Sequence, residues 1–195
     1  MKASFVKRFG AFVIDTFILS FVFSLISMGF TTDTKDINKE LSNTLEQFEL
    51  EEITIEEYSD KVNELNYELQ RKLLVANILN VILYVVYFIV FAYLNKGQTL
   101  GKKICKIKVV NDKDSDPSIW NMVIRSLFIY GIVTLLYSII CVNILNKNMF
   151  SYGNVIVTYV ETIFMVVAFF MALYRKDGRG LHDIMAKTKV IGEVK

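Results

Sequence analysis

The 195 residues of this chain are 53% hydrophobic, with a mean hydropathy of +0.40 and a formal net charge of only +2. A soluble domain of this length needs a more highly charged surface, so the composition argues against one. A single His and two Cys leave almost no ligands for a metal site, and we expect neither a metal nor another cofactor.

The first apolar stretch is long enough to cross a membrane. Residues 11–30 are apolar or small and carry one charge, Asp15, and about 20 helical residues span the ~30 Å hydrocarbon core of a bilayer. The stretch is longer than the apolar region of a signal peptide, so we interpret it as a permanent span. A carboxylate in such a position is costly and usually has a partner or a function.

The segment that follows is acidic. Residues 31–72 contain twelve acidic and five basic side chains. They form two amphipathic helix patterns, and Thr54 and Glu57 predict a capping box at the start of the second. We interpret the segment as an extracytoplasmic helical insert whose acidic side chains face solvent. Two alternatives stay open: a vestibule that collects cations, and a surface that pairs with another subunit.

Three further apolar stretches predict spans at residues 73–94, 119–142 and 155–174. Each contains a polar side chain that seeks a partner in the membrane: Asn80 in the second span, Arg125 in the third and Glu161 in the fourth. The predicted fold is therefore an all-α membrane protein with four transmembrane helices, the extramembrane helical insert, and a short cytoplasmic β-hairpin-like element described next.

The loop at residues 95–118 contains six lysines, which we expect to contact anionic lipid rather than nucleic acid. Its sequence GQTLGKK lacks the glycine spacing of a phosphate-binding loop. Alternation from Cys105 to Val110 predicts a half-buried strand, and residues 187–191 predict a second strand beside it. Basic residues are concentrated in the first ten residues, this loop and the tail, which places both termini in the cytoplasm.

Two pairs of polar residues lie at matching depths in the predicted spans. At 1.5 Å per residue, Asp15 and Arg125 lie ~6 Å and ~9 Å from the cytoplasmic edge, which favours an ion pair. Asn80 and Glu161 each lie ~9 Å from the opposite edge and predict a second polar cluster. Such clusters either stabilise the packing of the helices or lie on a path for ions or protons, and both interpretations stay open.

Several features together resemble the RDD family of bacterial membrane proteins. They are an Arg before the first span, an Asp inside it, a G-Q-T-L-G-K-K loop, an Arg in a later span and a terminal H-D-x-x-A-x-T-x-V. The resemblance assigns the arginine and two aspartates of the family name to Arg8, Asp15 and Asp183. It implies a location in the bacterial cytoplasmic membrane and a suspected transport role without a settled substrate. The insert at residues 31–72 departs from the compact form of the family.

Asp183 lies in the C-terminal tail beside His182 and close to Arg179. One interpretation is a helix cap or a surface salt bridge, which contributes ~0–1 kcal/mol. The other is that the tail folds back against the membrane helices and Asp183 contacts Arg8, a residue that otherwise suits a lipid phosphate.

For function, we expect a small transporter or transporter subunit that moves cations or protons through a polar path containing Asp15. Four spans enclose little volume, so we also expect a homo-oligomer or an unidentified membrane partner. The alternative is a non-transporting scaffold or assembly factor whose acidic outer helices bind a partner. An enzyme is not expected, because the sequence contains no nucleophile–base or metal constellation.

Overall fold

The computed structural model describes residues 2–28 and 34–192 as a mostly helical protein with one small sheet. In chain order its helices are α1 (Phe5–Met28), α2 (Lys35–Glu49), α3 (Ile55–Lys72), α4 (Leu74–Leu94), α5 (Leu100–Ile104), α6 (Ile119–Leu127), α7 (Ile132–Cys141), α8 (Lys147–Tyr174) and α9 (Leu181–Met185). The strands are β1 (Ile107–Asn111) and β2 (Thr188–Gly192). The mainly helical class and the short β element are confirmed.

Among the described residues, three helices are each long and apolar enough to cross a membrane: α1, α4 and α8. The predicted third span differs, because α6 and α7 are bent by 78° at the break between them. Gly131 immediately precedes α7 with a φ of 71°, a conformation that glycine adopts without steric cost. The span predicted at residues 119–142 is therefore not a single straight helix. The described residues contain four spans only if the bent pair counts as one.

Two of these helices begin before the apolar stretches that predicted them. α1 begins at Phe5 rather than at residue 11, and α8 begins at Lys147 rather than at residue 155. The side chain of Asn146 accepts a hydrogen bond of 3.0 Å from the Met149 amide, and such a cap fixes where a helix begins. The predicted end of the first span, at residue 30, lies outside the described residues.

The acidic segment forms a helical hairpin of α2 and α3. The predicted capping box is present at the start of α3, where the Thr54 side chain accepts from the Glu57 amide and the Glu57 carboxylate accepts from the Thr54 amide. The Tyr67 hydroxyl lies 3.0 Å and 3.1 Å from the carbonyl oxygens of Val142 and Leu145, just after α7. The hairpin is therefore anchored to the end of α7.

The sheet joins three distant parts of the chain. β1 and β2 pair in antiparallel register with Val109 opposite Val190, which confirms the predicted pair of strands. Lys2 forms an isolated bridge to Ile191, and the Ala3 amide donates a hydrogen bond of 3.0 Å to the Val190 carbonyl oxygen. The start of the chain, the central loop and the tail thus share one end of the helix bundle. The bent α6–α7 pair connects that end with the hairpin end.

Two glycines with positive φ provide a test of this packing. Gly97 has a φ of 88°, and a Cβ atom there would lie 2.2 Å from the Val109 carbonyl oxygen, whereas a Cβ at Gly131 would meet nothing within 4 Å. The left-handed conformation costs an L residue ~1–2 kcal/mol at both positions. We therefore expect Gly97→Ala to lower the thermal unfolding midpoint in detergent well below that of Gly131→Ala. Equal losses for the two variants would contradict the described approach of β1 to this loop.

Candidate functional site

Asp15 is buried between helices and accepts three hydrogen bonds. The hydroxyls of Tyr87 and Thr99 each donate at 2.5 Å, and the Gly101 amide donates at 2.7 Å. Tyr87 belongs to a π-helical stretch of α4, Val85–Phe91, whereas Thr99 caps α5 and Gly101 lies in its first turn. One carboxylate of α1 thus holds both α4 and α5.

Glycine at position 101 allows α5 to lie directly against α1. A Cβ atom there would come within 2.3 Å of the Ala11 carbonyl oxygen and 2.8 Å of Asp15 Oδ1. No other residue type fits that gap, so the approach of the Gly101 amide to the carboxylate requires glycine. The second glycine of GQTLGKK is therefore a packing residue.

Asp183 is fully buried and forms ion pairs with two arginines. Arg8 of α1 and Arg125 of α6 each bind one of its two carboxylate oxygens, and the Gly180 amide donates a further hydrogen bond at 3.0 Å. Arg8 also donates to the Gly178 carbonyl oxygen. The tail folds back against the start of α1, and the predicted contact between Arg8 and Asp183 is confirmed.

The predicted ion pair between Asp15 and Arg125 is wrong. Arg125 binds Asp183 and donates a hydrogen bond of 3.3 Å to the Thr188 hydroxyl. Asp15 accepts only from neutral donors within the described part of the chain. Residue counting gives the depth of a side chain along a helix axis. It does not give the direction that the side chain faces, nor the presence of a tail that brings a better partner.

A cavity of about 150 Å³ lies between α1 and α8, beside the buried charges. Its charged and titratable lining residues are Arg8, Asp15, Lys102, Arg125, Tyr130 and His182. Most of the remaining lining is aromatic or aliphatic, from α1, α8 and the segment between α6 and α7. The cavity therefore combines apolar side chains of α1 and α8 with charged side chains contributed by α1, α5 and α6.

Lys102 is one of the six loop lysines that were predicted to contact anionic lipid, and it lines the cavity. Its side chain is buried, with 7% exposure, and its ammonium has no hydrogen-bond or ion-pair partner among residues 2–28 and 34–192. Burial, together with the positive charges of Arg125 and Arg8, lowers the pKa of Lys102 to about 7, although the negative charge of Asp15 opposes this shift. Lys102 is therefore a buried base that changes charge near neutral pH.

His182 borders the cavity in a neutral form. Its Nε2 lies 3.5 Å from the Asp183 carboxylate, and its Nδ1 is buried without a partner among the described residues. Burial and the neighbouring cations, Arg125 foremost, hold the pKa of His182 well below its usual value. In the part of the chain that the structure describes, no group of three His, Cys, Asp or Glu side chains is placed to hold a metal ion.

Arg179, the other tail residue singled out in the sequence, lies away from the cavity. It forms partly exposed ion pairs with Asp112 at 2.8 Å and with Asp177 at 3.1 Å. Exposed pairs of this kind contribute little to stability. Arg179 therefore connects the tail to the loop after β1 and does not belong to the buried cluster.

The predicted cluster of Asn80 and Glu161 is not formed. Glu161 accepts hydrogen bonds from both the amide and the hydroxyl of Thr134 in α7, and Asn80 contributes no hydrogen bond to it. Because α8 begins at Lys147, Glu161 lies in the middle of its helix rather than in the first third. Its second oxygen, Oε1, is buried without a partner among the described residues.

A model of the RDD family matches residues 2–187. The chain belongs to the RDD family. RDD proteins are membrane proteins, as the apolar helices of this chain also indicate. No curated protein and no solved structure matches the chain. The residues assigned above to the family name, Arg8, Asp15 and Asp183, lie at or beside one cavity of this RDD protein.

Three residues of the site were not identified from the sequence: Tyr87, Thr99 and Lys102. Tyrosine and threonine are common in helices and loops, and nothing in the pattern marks these two as partners of a carboxylate. Lys102 is one of six lysines in its loop. The only sequence signal is Gly101 beside it, since a glycine within a short helix indicates a close approach.

Replacing the shared carboxylate tests the buried ion pairs of the RDD protein. Asp183→Asn leaves two guanidinium groups buried without a counter-charge, and breaking a buried pair in this way costs ~3–5 kcal/mol. The matched control is Asp177→Asn, which removes a carboxylate from exposed pairs with Arg175 and Arg179 and should change stability little. Denaturant titration in detergent measures both. A loss for Asp183→Asn no larger than that of the control would exclude the described ion pairs.

Proposed function

We propose that this RDD protein is a small, non-enzymatic membrane transporter whose polar path passes through the cavity between α1 and α8. The observation that supports the proposal is the cavity itself, which brings buried ionisable side chains next to the apolar faces of two long helices. Ionisable groups in such surroundings are costly, and they commonly mark a path for ions or protons.

Lys102 is the group that exchanges protons in this proposal. No carboxylate in the described part of the chain forms an ion pair with its ammonium, and its pKa of about 7 makes both the charged and the neutral forms available near neutral pH. Asp15, by contrast, is fixed by three hydrogen bonds and positions α5, which carries Lys102. The proton path of the sequence prediction is kept, with Lys102 rather than Asp15 as its exchanging group.

The charge of the cavity favours protons or an anion over a metal cation. Its lining includes three basic side chains, Arg8, Lys102 and Arg125, against the carboxylate of Asp15. Asp183 already binds both arginines. A metal cation would enter a region of excess positive charge and would find the oxygens of Asp15 occupied by donors, so the cation path predicted from Asp15 has less support.

We also place both termini in the cytoplasm and the protein in a bacterial cytoplasmic membrane. The support is the concentration of basic residues in the first ten residues, the central loop and the tail. These three segments share one end of the bundle through the sheet.

Proton movement in proteoliposomes tests the proposal. An imposed pH gradient should decay faster with wild-type protein than in protein-free vesicles, and Lys102→Met should return the rate to that of protein-free vesicles. The control is Lys103→Met, at a lysine that donates to Asn95 on the surface and should behave as wild type. The rate should be highest near pH 7 and fall on either side, because exchange needs both forms of Lys102. Unchanged flux in Lys102→Met would contradict the proposal.

Sodium and potassium gradients in the same vesicles separate the remaining candidates. If such a gradient drives protons and Asp15→Asn abolishes this while the protein stays folded, the cation path through Asp15 is correct instead. If wild type moves nothing under any gradient, the scaffold becomes the better account. The α2–α3 hairpin favours that second candidate, since Leu50 and Ile55 near its tip are 62% and 70% exposed and offer an apolar contact for a partner.

A further inference from the structure

We infer that the cavity between α1 and α8 binds the phosphate headgroup of an anionic membrane phospholipid, with Lys102 as its charge partner and the acyl chains leaving between the two helices. The inference rests on the proposed function and deepens it. It names the class of molecule that binds in the same cavity. Three independent features support it: an uncompensated charge, the size of the chamber and the chemistry of its entrance.

The uncompensated charge is that of Lys102. Arg8 and Arg125 also line the cavity, but Asp183 binds both of them. The two oxygens of Asp15 are occupied by Tyr87, Thr99 and the Gly101 amide. Three cations thus lie beside two carboxylates, and Lys102 is the cation that forms no ion pair among the described residues, although the charge of Asp15 acts on it at longer range. Excess positive charge is costly to bury, so an anion that enters the chamber gains a strong, charge-assisted contact.

The size of the chamber admits a small polar group and no more. A volume of about 150 Å³ matches that of engineered protein cavities that hold one benzene molecule. A phosphate with a short ester linkage fits such a space, whereas a complete lipid does not. The bulk of an amphiphile bound here must therefore lie outside the chamber.

The entrance has the apolar chemistry of an acyl chain. Phe5 and Phe9 of α1 meet Phe169 of α8, with ring centroids 5.1 Å and 6.4 Å apart respectively. Phe9 and Phe169 are 50% and 41% exposed on the outer faces of helices that are apolar enough to cross a membrane. A freely soluble anion has no affinity for this aromatic wall. A phospholipid matches both the wall and the charge behind it.

The space on the α8 side exists because small side chains line it. Ala168 and Ala172 lie one helical turn apart at the cavity, so a bulky residue at either position would fill the space that the headgroup needs. Ala172 is only partly buried, which makes it the gentler position for substitution. Ala172→Phe therefore blocks the chamber without removing any charge.

Retention of defined lipids by the full-length protein tests the inference. Protein reconstituted with phosphatidylglycerol or with phosphatidylcholine is re-extracted in mild detergent, and bound lipid is counted by native mass spectrometry. We expect wild type to retain phosphatidylglycerol and little phosphatidylcholine. Lys102→Met should lower retention at least about tenfold, the loss of one charge-assisted contact. Ala172→Phe should lower it similarly, whereas Lys102→Arg and the surface control Lys103→Met should retain the lipid.

Three results would overturn the inference. They are equal retention of the two lipids, equal retention by wild type and both blocking variants, and displacement of the lipid by inorganic phosphate alone, which would identify a soluble anion as the occupant. Retention of the lipid by Lys102→Arg and Lys103→Met shows that a loss in Lys102→Met or Ala172→Phe is not a general failure to fold. Selective retention without proton flux in vesicles would leave the lipid site intact and remove the proposed transport.

Discussion

One carboxylate shared by two buried arginines determines how the polar end of this protein is assembled. Asp183 is fully buried, and its single negative charge is shared between Arg8 of the first helix and Arg125 of the bent pair. Each of these charges would cost several kcal/mol to desolvate alone. The tail must therefore fold back into the bundle, and once it does, β2 lies beside β1 and the start of the chain completes the same assembly.

The second buried carboxylate has a different task. Asp15 forms no ion pair among the described residues. It accepts hydrogen bonds from α4 and from α5 with its N-cap residue, and these bonds hold the two segments against α1. The three cations Arg8, Arg125 and Lys102 exceed these two carboxylates by one positive charge, and Lys102 is the cation without an ion pair among the described residues. The functional proposals follow from this imbalance, since a buried ammonium beside the cavity favours either a proton exchange or an anionic ligand.

Sequence reasoning succeeded where one local pattern determined the outcome. Alternation predicted the first strand, and the Thr54–Glu57 spacing predicted a helix cap. The contact of Arg8 with Asp183 was one of two interpretations of the tail, suggested by the family resemblance. It failed where the outcome depended on which way a helix face turns. The similar depths of Asp15 and Arg125 in their spans suggested the wrong partner for Arg125. An apolar run through Gly131 concealed a bend of 78°, because hydropathy is insensitive to a backbone that enters the left-handed region.

Amide hydrogen–deuterium exchange after Arg125→Met tests the central claim most directly. The substitution removes one of the two cations that hold Asp183, and the account predicts faster exchange in residues 178–192 and in β1, with α8 unchanged. Arg175→Met is the control, since Arg175 pairs with Asp177 at the exposed surface and with no other carboxylate in the described part of the chain. If the tail and β1 exchange at the wild-type rate in Arg125→Met, the shared carboxylate does not hold this end of the protein together.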